Sequence, residues 1–238
     1  MSDWAAKRFW TSTDVQQIDG GFTVVLDGRS IKTPAKAPLV LPSYAMAQAL
    51  AVEWDAQAEK IDPNTMPMTR AANAAIDKVQ HQHAAVADML AEYGGTDLLC
   101  YRADTPQELI DRQAQHWDPI LDWAHREFGA RLNLAQGVMF AEQPQDSLDV
   151  LRTATHAFDT FELTGFHDLV AMSGSLVLGF AVARDHLTPA QAWTLSRIDE
   201  EWQIEQWGRD EEADSMAAVK QTAFEDAYRF MKLIKDRP

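Results

Sequence analysis

Phe22-Thr23-Val24-Val25-Leu26-Asp27-Gly28-Arg29-Ser30-Ile31-Lys32-Thr33 is the stretch on which the architecture turns. A run of β-formers meets Asp-Gly, a pair that tolerates the positive φ of a tight two-residue turn, and β-compatible residues resume beyond it. A hairpin is therefore predicted. Gly20-Gly21 marks the turn before it, which makes Val15–Ile18 a preceding strand. Pro38-Leu39-Val40-Leu41-Pro42 is read as one more short strand, held to a sheet edge by its prolines. These pieces predict an antiparallel meander. Ser43 can cap the next helix, in which Met46, Leu50 and Trp54 recur every fourth residue and would cover one face of the sheet.

Ile61-Asp62-Pro63-Asn64-Thr65-Met66-Pro67 breaks that pattern, and the remainder reads as helix. The expected organisation is a β-rich domain over residues 1–65 with one covering helix, then a helical domain of about seven helices over residues 66–238. Thr105-Pro106-Gln107-Glu108 and Thr188-Pro189-Ala190-Gln191 read as capping boxes with proline at the first helical position. Asp118-Pro119 is read as another helix start that Gly129 ends, while Gly94-Gly95, Gly137 and Pro144 separate further helices. The last helix carries Met216, Val219, Ala223, Ala227, Met231 and Ile234 on one face. Strands first and helices afterwards give an α+β fold.

Bulk properties narrow the function. Of 238 residues, 46% are apolar and 24% charged, which suits a folded core. The net charge of -15 opposes binding to nucleic acid or to anionic membranes. The longest apolar run, 169–183, falls short of the roughly 20 residues a spanning helix needs, so it is expected to be a buried helix. Ser175 and Gly179 within it have the spacing of close helix packing. Cys100, the single cysteine, has no partner for a disulfide and apolar neighbours; a small buried hydrophobe in a reducing compartment is expected. The N-terminus has neither a signal-peptide core nor the composition of a transit segment. A cytoplasmic protein is expected, or a mitochondrial matrix protein if the chain is a processed form.

Motifs for chemistry are sparse. Gly174 and Gly179 have Walker-type spacing, but Phe180-Ala181 stands where Lys-Ser/Thr is required. No G-x-G-x-x-G follows a strand, and Ser173-Gly174-Ser175 is not a nucleophile elbow. His81 and His83 point to different helical faces, and Asp122 with His125 lacks a second ligand pair, so no metal site is expected. His167-Asp168, read as opening the most apolar helix, is open to two readings. One is acid–base work in a pocket, as in a hydrolase; the other is a carboxylate complementing the helix dipole beside a locally bonded histidine.

Charge is concentrated near the C-terminus. From Asp199 to Asp214 there are eight acidic residues and one basic one, Arg209. Trp193, Trp202 and Trp207 lie in or beside this run. Acid runs are commonly solvated helix faces, but tryptophan is a frequent interface anchor and flanking charge steers a basic partner. Glu201, Trp202 and Trp207 are accordingly candidate partner-binding residues.

Several segments resemble the assembly chaperones for the alpha subunit of the F-type ATP synthase head. They are Leu26 to Pro34; Met68-Thr69-Arg70 with Asn73 and Ile76-Asp77; Thr96 to Arg102; and Trp117-Asp118-Pro119. Leu163 to Gly179, Leu195 to Glu200, and Gln206-Trp207-Gly208 with Glu211 complete the set. The resemblance covers most of the chain in order. It implies a small β-rich domain on a larger helical one, and a monomer that holds the unassembled alpha subunit, covers its interface for the beta subunit and then gives way. It implies no cofactor and no catalysis. The family's functionally important acid after the Trp-Gly pair falls on Glu211, so Trp207, Gly208, Asp210, Glu211 and Glu212 join the candidate site. A permanent helical scaffold subunit is the competing non-enzymatic role.

Overall fold

The computed structural model describes residues 7–137 and 139–234. In it β1 (Thr13–Ile18) runs antiparallel to β2 (Gly21–Leu26), with Thr13 opposite Leu26 and Ile18 opposite Gly21. β3 (Arg29–Ser30) completes a sheet of order β1-β2-β3. Asp27 and Gly28 between β2 and β3 take φ of 48° and 77°, the left-handed pair that a tight hairpin turn requires. The Asp27 carboxylate accepts the backbone N–H groups of Ser12 and Thr11, which hold its carboxyl below the usual range.

The strand expected over residues 38–42 is absent. Only isolated bridges form, Leu41 to Phe22 and Pro38 to Lys32, because proline has no N–H to extend a ladder in either direction. Leu39 and Leu41 are nevertheless buried under the sheet's covering helix, α1 (Tyr44–Asp55). The Ser43 hydroxyl caps α1 by accepting the Met46 N–H at 3.0 Å. Met46 and Leu50 are buried against Val24 and Leu26, and Trp54 sits at the margin, edge-on to Trp10 at 5.3 Å.

The next helix, α2 (Pro67–Asp77), has no local side-chain cap. Glu53 of α1 supplies one from a distance: its carboxylate accepts the N–H groups of Met68 and Thr69 at 2.7 and 2.8 Å and the Thr69 hydroxyl at 2.7 Å. Burial pushes the Glu53 carboxyl up in spite of these bonds. At the far end of α2, Asp77 accepts the Thr33 hydroxyl at 2.5 Å and the Ala35 N–H at 3.0 Å. Two of the segments quoted above, 26–34 and 68–77, are thus tied together by a carboxylate.

By contacts the chain forms two compact units. One comprises the chain as far as His83, Thr160–Gly165 and the chain from Arg229 on; the other comprises Ala84–Asp159 and Phe166–Tyr228. After residue 65 the described residues form nine α-helices rather than about seven: α2, α3 (His83–Ala91), α4 (Gln107–Phe128), α5 (Gln145–His156), α6 (Thr160–Ser173), α7 (Leu176–Ala183), α8 (Pro189–Ser196), α9 (Ile198–Trp207) and α10 (Glu211–Ile234).

Several local expectations are corrected. Asp118-Pro119 does not begin a helix; α4 runs through it. Asp118 forms an ion pair with Arg102 at 2.8 Å instead of capping. Pro106 occupies the cap position of α4 itself, and no side-chain cap bond is made there. Gly129, at φ 77°, does close α4. The apolar run 169–183 is two helices, because Gly174 turns the chain at φ 69° and Ser175 caps α7 by accepting the Leu178 N–H at 3.0 Å. His167 and Asp168 consequently lie inside α6, away from its first turn. A β-carbon on Gly179 would stand 2.7 Å from Val170 Cγ2, so bare backbone is what lets α7 lie against α6.

Asp97 reinforces that corner. One carboxylate oxygen accepts the Ser175 hydroxyl at 2.7 Å and the Leu99 N–H at 3.0 Å, and the other accepts the Val177 N–H at 3.0 Å. Complete burial nonetheless pushes its carboxyl up to about 6. Nearby Cys100 is fully buried, and burial together with the Asp97 charge pushes its thiol up to about 12. A short parallel ladder, β4 (Tyr101–Arg102) with β5 (Ala135–Gln136), was not expected; two residues leave no periodic trace. Among the described residues no helix is long and apolar enough to cross a membrane.

Candidate partner-binding face

The acid run folds as α9, a turn, and the start of α10. Helix α8 leads into it from a formed capping box, Thr188 with Gln191. Ile198 anchors α9 in the core, and Asp199, Glu200 and Glu201 occupy its first turn, where the helix dipole favours negative charge. Gly208 ends α9 at φ 92°, and Arg209 and Asp210 lead into α10.

Most of these acids are already engaged. Asp199 accepts the Gln113 amide at 2.6 Å. Glu200 and Glu201 stand 4.0 and 3.9 Å from Arg197. Glu205 takes both prongs of Arg112, at 2.8 and 2.9 Å, an arrangement that lowers the Glu205 carboxyl and raises the guanidinium. Asp214 pairs with Arg209 at 3.1 Å. Asp210 caps α10 by accepting the N–H groups of Glu212 and Ala213 at 2.9 and 3.1 Å. Glu211 and Glu212 are exposed and have no side-chain partner among the described residues.

The candidate residues therefore gather on one helix–turn–helix but divide between two sides of α9. Trp202 and Trp207 line a cleft of about 590 Å³ with Gln203, Gln206, Tyr101 and Pro106. Glu201 lines a second cleft, of about 640 Å³, with Glu205, Trp193, Arg209 and Ala217. Trp202 is half-buried beneath the Arg112 guanidinium, 4.8 Å from its ring centroid. Trp207 is 80% exposed at the end of α9. Trp193, by contrast, is core, packed on Phe224 at 5.8 Å.

The pattern of acids and tryptophans carried no trace of Arg112 or of Tyr101 and Pro106. They come from α4 and the β4 segment, about a hundred positions upstream, and only the fold brings them to α9. Met216 and Val219 were visible as two of the six residues of an apolar stripe, yet they are 58% and 68% exposed. That part of the stripe faces outward, and burial resumes at Phe224, Ala227 and Phe230.

The His167–Asp168 pair is intact, Nδ1 to Oδ1 at 2.8 Å, and the Asp168 hydrogen bond raises the imidazole pKa. Neither residue lines either cleft described above. His125 bonds Arg131 at 3.2 Å. Among the described residues no three His, Cys, Asp or Glu side chains are grouped to hold a metal ion.

The chain is similar to known proteins along most of its length. The family of the ATP12 chaperone protein matches residues 7–125. The crystal structure of Atp12 from Paracoccus denitrificans is similar with a TM-score of 0.95 and 50% identity, covering 98% of this chain and 100% of that one. The Atu1473 protein of Agrobacterium tumefaciens is similar at a TM-score of 0.91 and 40% identity, covering 95% of this chain and 85% of that one. Protein atp12, mitochondrial, of Schizosaccharomyces pombe is 24% identical over 219 residues, 87% of this chain and 75% of its own length. With a family match over half its length and a solved relative half-identical along nearly all of it, the chain belongs to the ATP12 family of chaperones, the ATP synthase assembly chaperones that its motifs resemble.

Proposed function

We propose that this protein binds the unassembled alpha subunit of the F-type ATP synthase head. It covers the surface that the beta subunit later buries, and yields that surface as the ring forms. The observation that carries the proposal is an 80% exposed tryptophan, Trp207, followed within five residues by two exposed carboxylates, Glu211 and Glu212, that have no side-chain partner among the described residues. A subunit of an obligate ring exposes apolar interface until its neighbour arrives, and patches of that size aggregate. A rigid aromatic anchor beside fixed negative charge suits a client whose apolar interface is bordered by basic side chains. The larger interface of the finished ring drives exchange, so the cycle needs no nucleotide hydrolysis by this chain. The protein acts as a monomer, in the cytoplasm of a bacterium or in the mitochondrial matrix.

The test is size-exclusion chromatography of this protein with the isolated, folded alpha subunit of its own organism. Co-elution that the beta subunit displaces is the expected result, and Glu211→Lys should weaken the complex without unfolding the chain. Failure of the wild-type protein to bind folded alpha subunit would overturn the proposal.

A further inference from the structure

Helix α10 meets its own unit along a narrow line. Asp214, Ala217, Ala218 and Gln221 face the second cleft, and Phe224 follows on the same side as the buried contact to Trp193. At 100° per residue, the side chains diametrically opposite are Glu212, Met216, Val219 and Ala223. That is an i, i+4, i+7, i+11 stripe, the spacing by which an amphipathic helix seats on a partner. Met216 and Val219 on it are 58% and 68% exposed, and from Glu211 to Thr222 only Asp214, Ala217 and Gln221 are even half-buried. The first part of a sequence-encoded apolar stripe therefore looks away from the protein's own core, before Ala223 becomes half-buried and Ala227 and Met231 buried. Isolated exposed apolar residues are ordinary, but two large ones in helical register are not.

The surroundings identify the occupant. Glu212 heads the stripe with Glu211 beside it, both without side-chain partners among the described residues, whereas the neighbouring arginines Arg112, Arg197 and Arg209 are already paired to Glu205, Glu201 and Asp214. Lys220 flanks the stripe on one side. An anionic lipid surface or a nucleic acid would meet unpaired carboxylates at the head of the stripe and a chain of net charge -15. A second copy of this chain would bring the same excess charge against itself. A protein surface with an apolar groove bordered by lysine or arginine meets none of these penalties.

We propose that the outward stripe of α10, Glu212–Met216–Val219–Ala223, is a docking ridge that lies in such a groove on the client. The inference rests on the alpha-subunit proposal and adds a set of residues and a mode of contact to it: a preformed helix laid into a groove, adjoining Trp207. Its energetic centre is Met216 and Val219, with Glu212 setting orientation against a basic residue at the groove's end.

The test compares three forms of the full chain for binding to the isolated alpha subunit by calorimetry. The double variant Met216→Gln/Val219→Thr keeps side-chain size and helical backbone, and its exposed positions should leave the melting temperature unchanged. Its affinity is expected to fall tenfold or more, with the loss persisting in high salt. Glu212→Gln should weaken binding severalfold in low salt and little in high salt. Wild-type binding with the double variant within twofold of it would overturn the ridge and leave the alpha-subunit proposal standing. Absence of wild-type binding would overturn both. A concentration-dependent homodimer of the wild type that the double variant abolishes would overturn the ridge as a client surface and assign it to self-association.

Discussion

Arg112 and Glu205, 93 positions apart, meet in a two-pronged ion pair that holds α9 against α4. The same guanidinium lies over the Trp202 ring at 4.8 Å, so one side chain fixes both an acid and a tryptophan of the candidate face. Glu205 is half exposed and Arg112 about a third, and pairs open to solvent on one side add little to global stability.

Local order is where the clamp should register. In Arg112→Met, amide exchange across residues 198–207 is expected to quicken severalfold while the melting temperature hardly moves. Unchanged exchange would mean that α9 is held by Ile198 and its core contacts alone. Binding to the alpha subunit should weaken in the same variant, because the anchor Trp202 is no longer pre-positioned.

Glu53 caps α2 from another helix, and removing it strands two N–H groups and a hydroxyl that are poorly placed to reach water. Glu53→Ala should destabilise the protein by about 1–3 kcal/mol in urea unfolding. Glu53→Gln, which keeps one acceptor, should lose less. Equal losses in the two variants would show that packing around the side chain matters more than the cap.

Asp97 makes stability depend on pH with a definite sign. Its folded carboxyl, at about 6, lies above the ordinary value of 3.8, so the native state holds the proton more tightly than the unfolded chain does. Its contribution is therefore greatest below pH 3.8 and declines as pH rises through about 6, by on the order of 3 kcal/mol in all. Unfolding free energies of wild type and Asp97→Asn, measured across this window, should show the wild type losing ground to the variant as pH rises. A constant difference would mean that the accepted hydrogen bonds fully offset burial.

Gly179→Ala places a methyl group 2.7 Å from Val170 and 3.2 Å from the Phe166 ring. Overpacking of this kind costs about 1–3 kcal/mol, against roughly 1 kcal/mol regained from helix propensity. A lower melting temperature is expected. A higher one would show that α6 and α7 can part without penalty.

The sheet and its hairpin were legible because Asp27-Gly28 dictates a local geometry that needs no tertiary context. The caps at Ser43 and Thr188 were legible for the same reason. Legibility failed where a distant partner decided the outcome. Asp118 reads as a helix start until Arg102 is seen to claim it, and the apolar run is split at Gly174, where Asp97 binds the capping Ser175 from 78 positions upstream. At the candidate face, the acids and tryptophans were readable in one segment. Which acids remain free was not, since Gln113, Arg112 and Arg197 remove five of the eight acids only after folding when Arg209 is counted with them. Met216 and Val219 show the same limit in reverse: periodicity marks a face of α10, and only packing says whether that face looks inward.

Tryptophan placement also equips the molecule with an optical handle. Trp10, Trp117, Trp123 and Trp193 are buried, Trp54 and Trp202 are half-buried, and Trp207 is the fully exposed indole among the described residues. Of these seven, Trp207 is the most open to a collisional quencher such as acrylamide. Protection of Trp207 on mixing, read against a Trp207→Phe control, would follow occupancy of this face in real time with no dye attached.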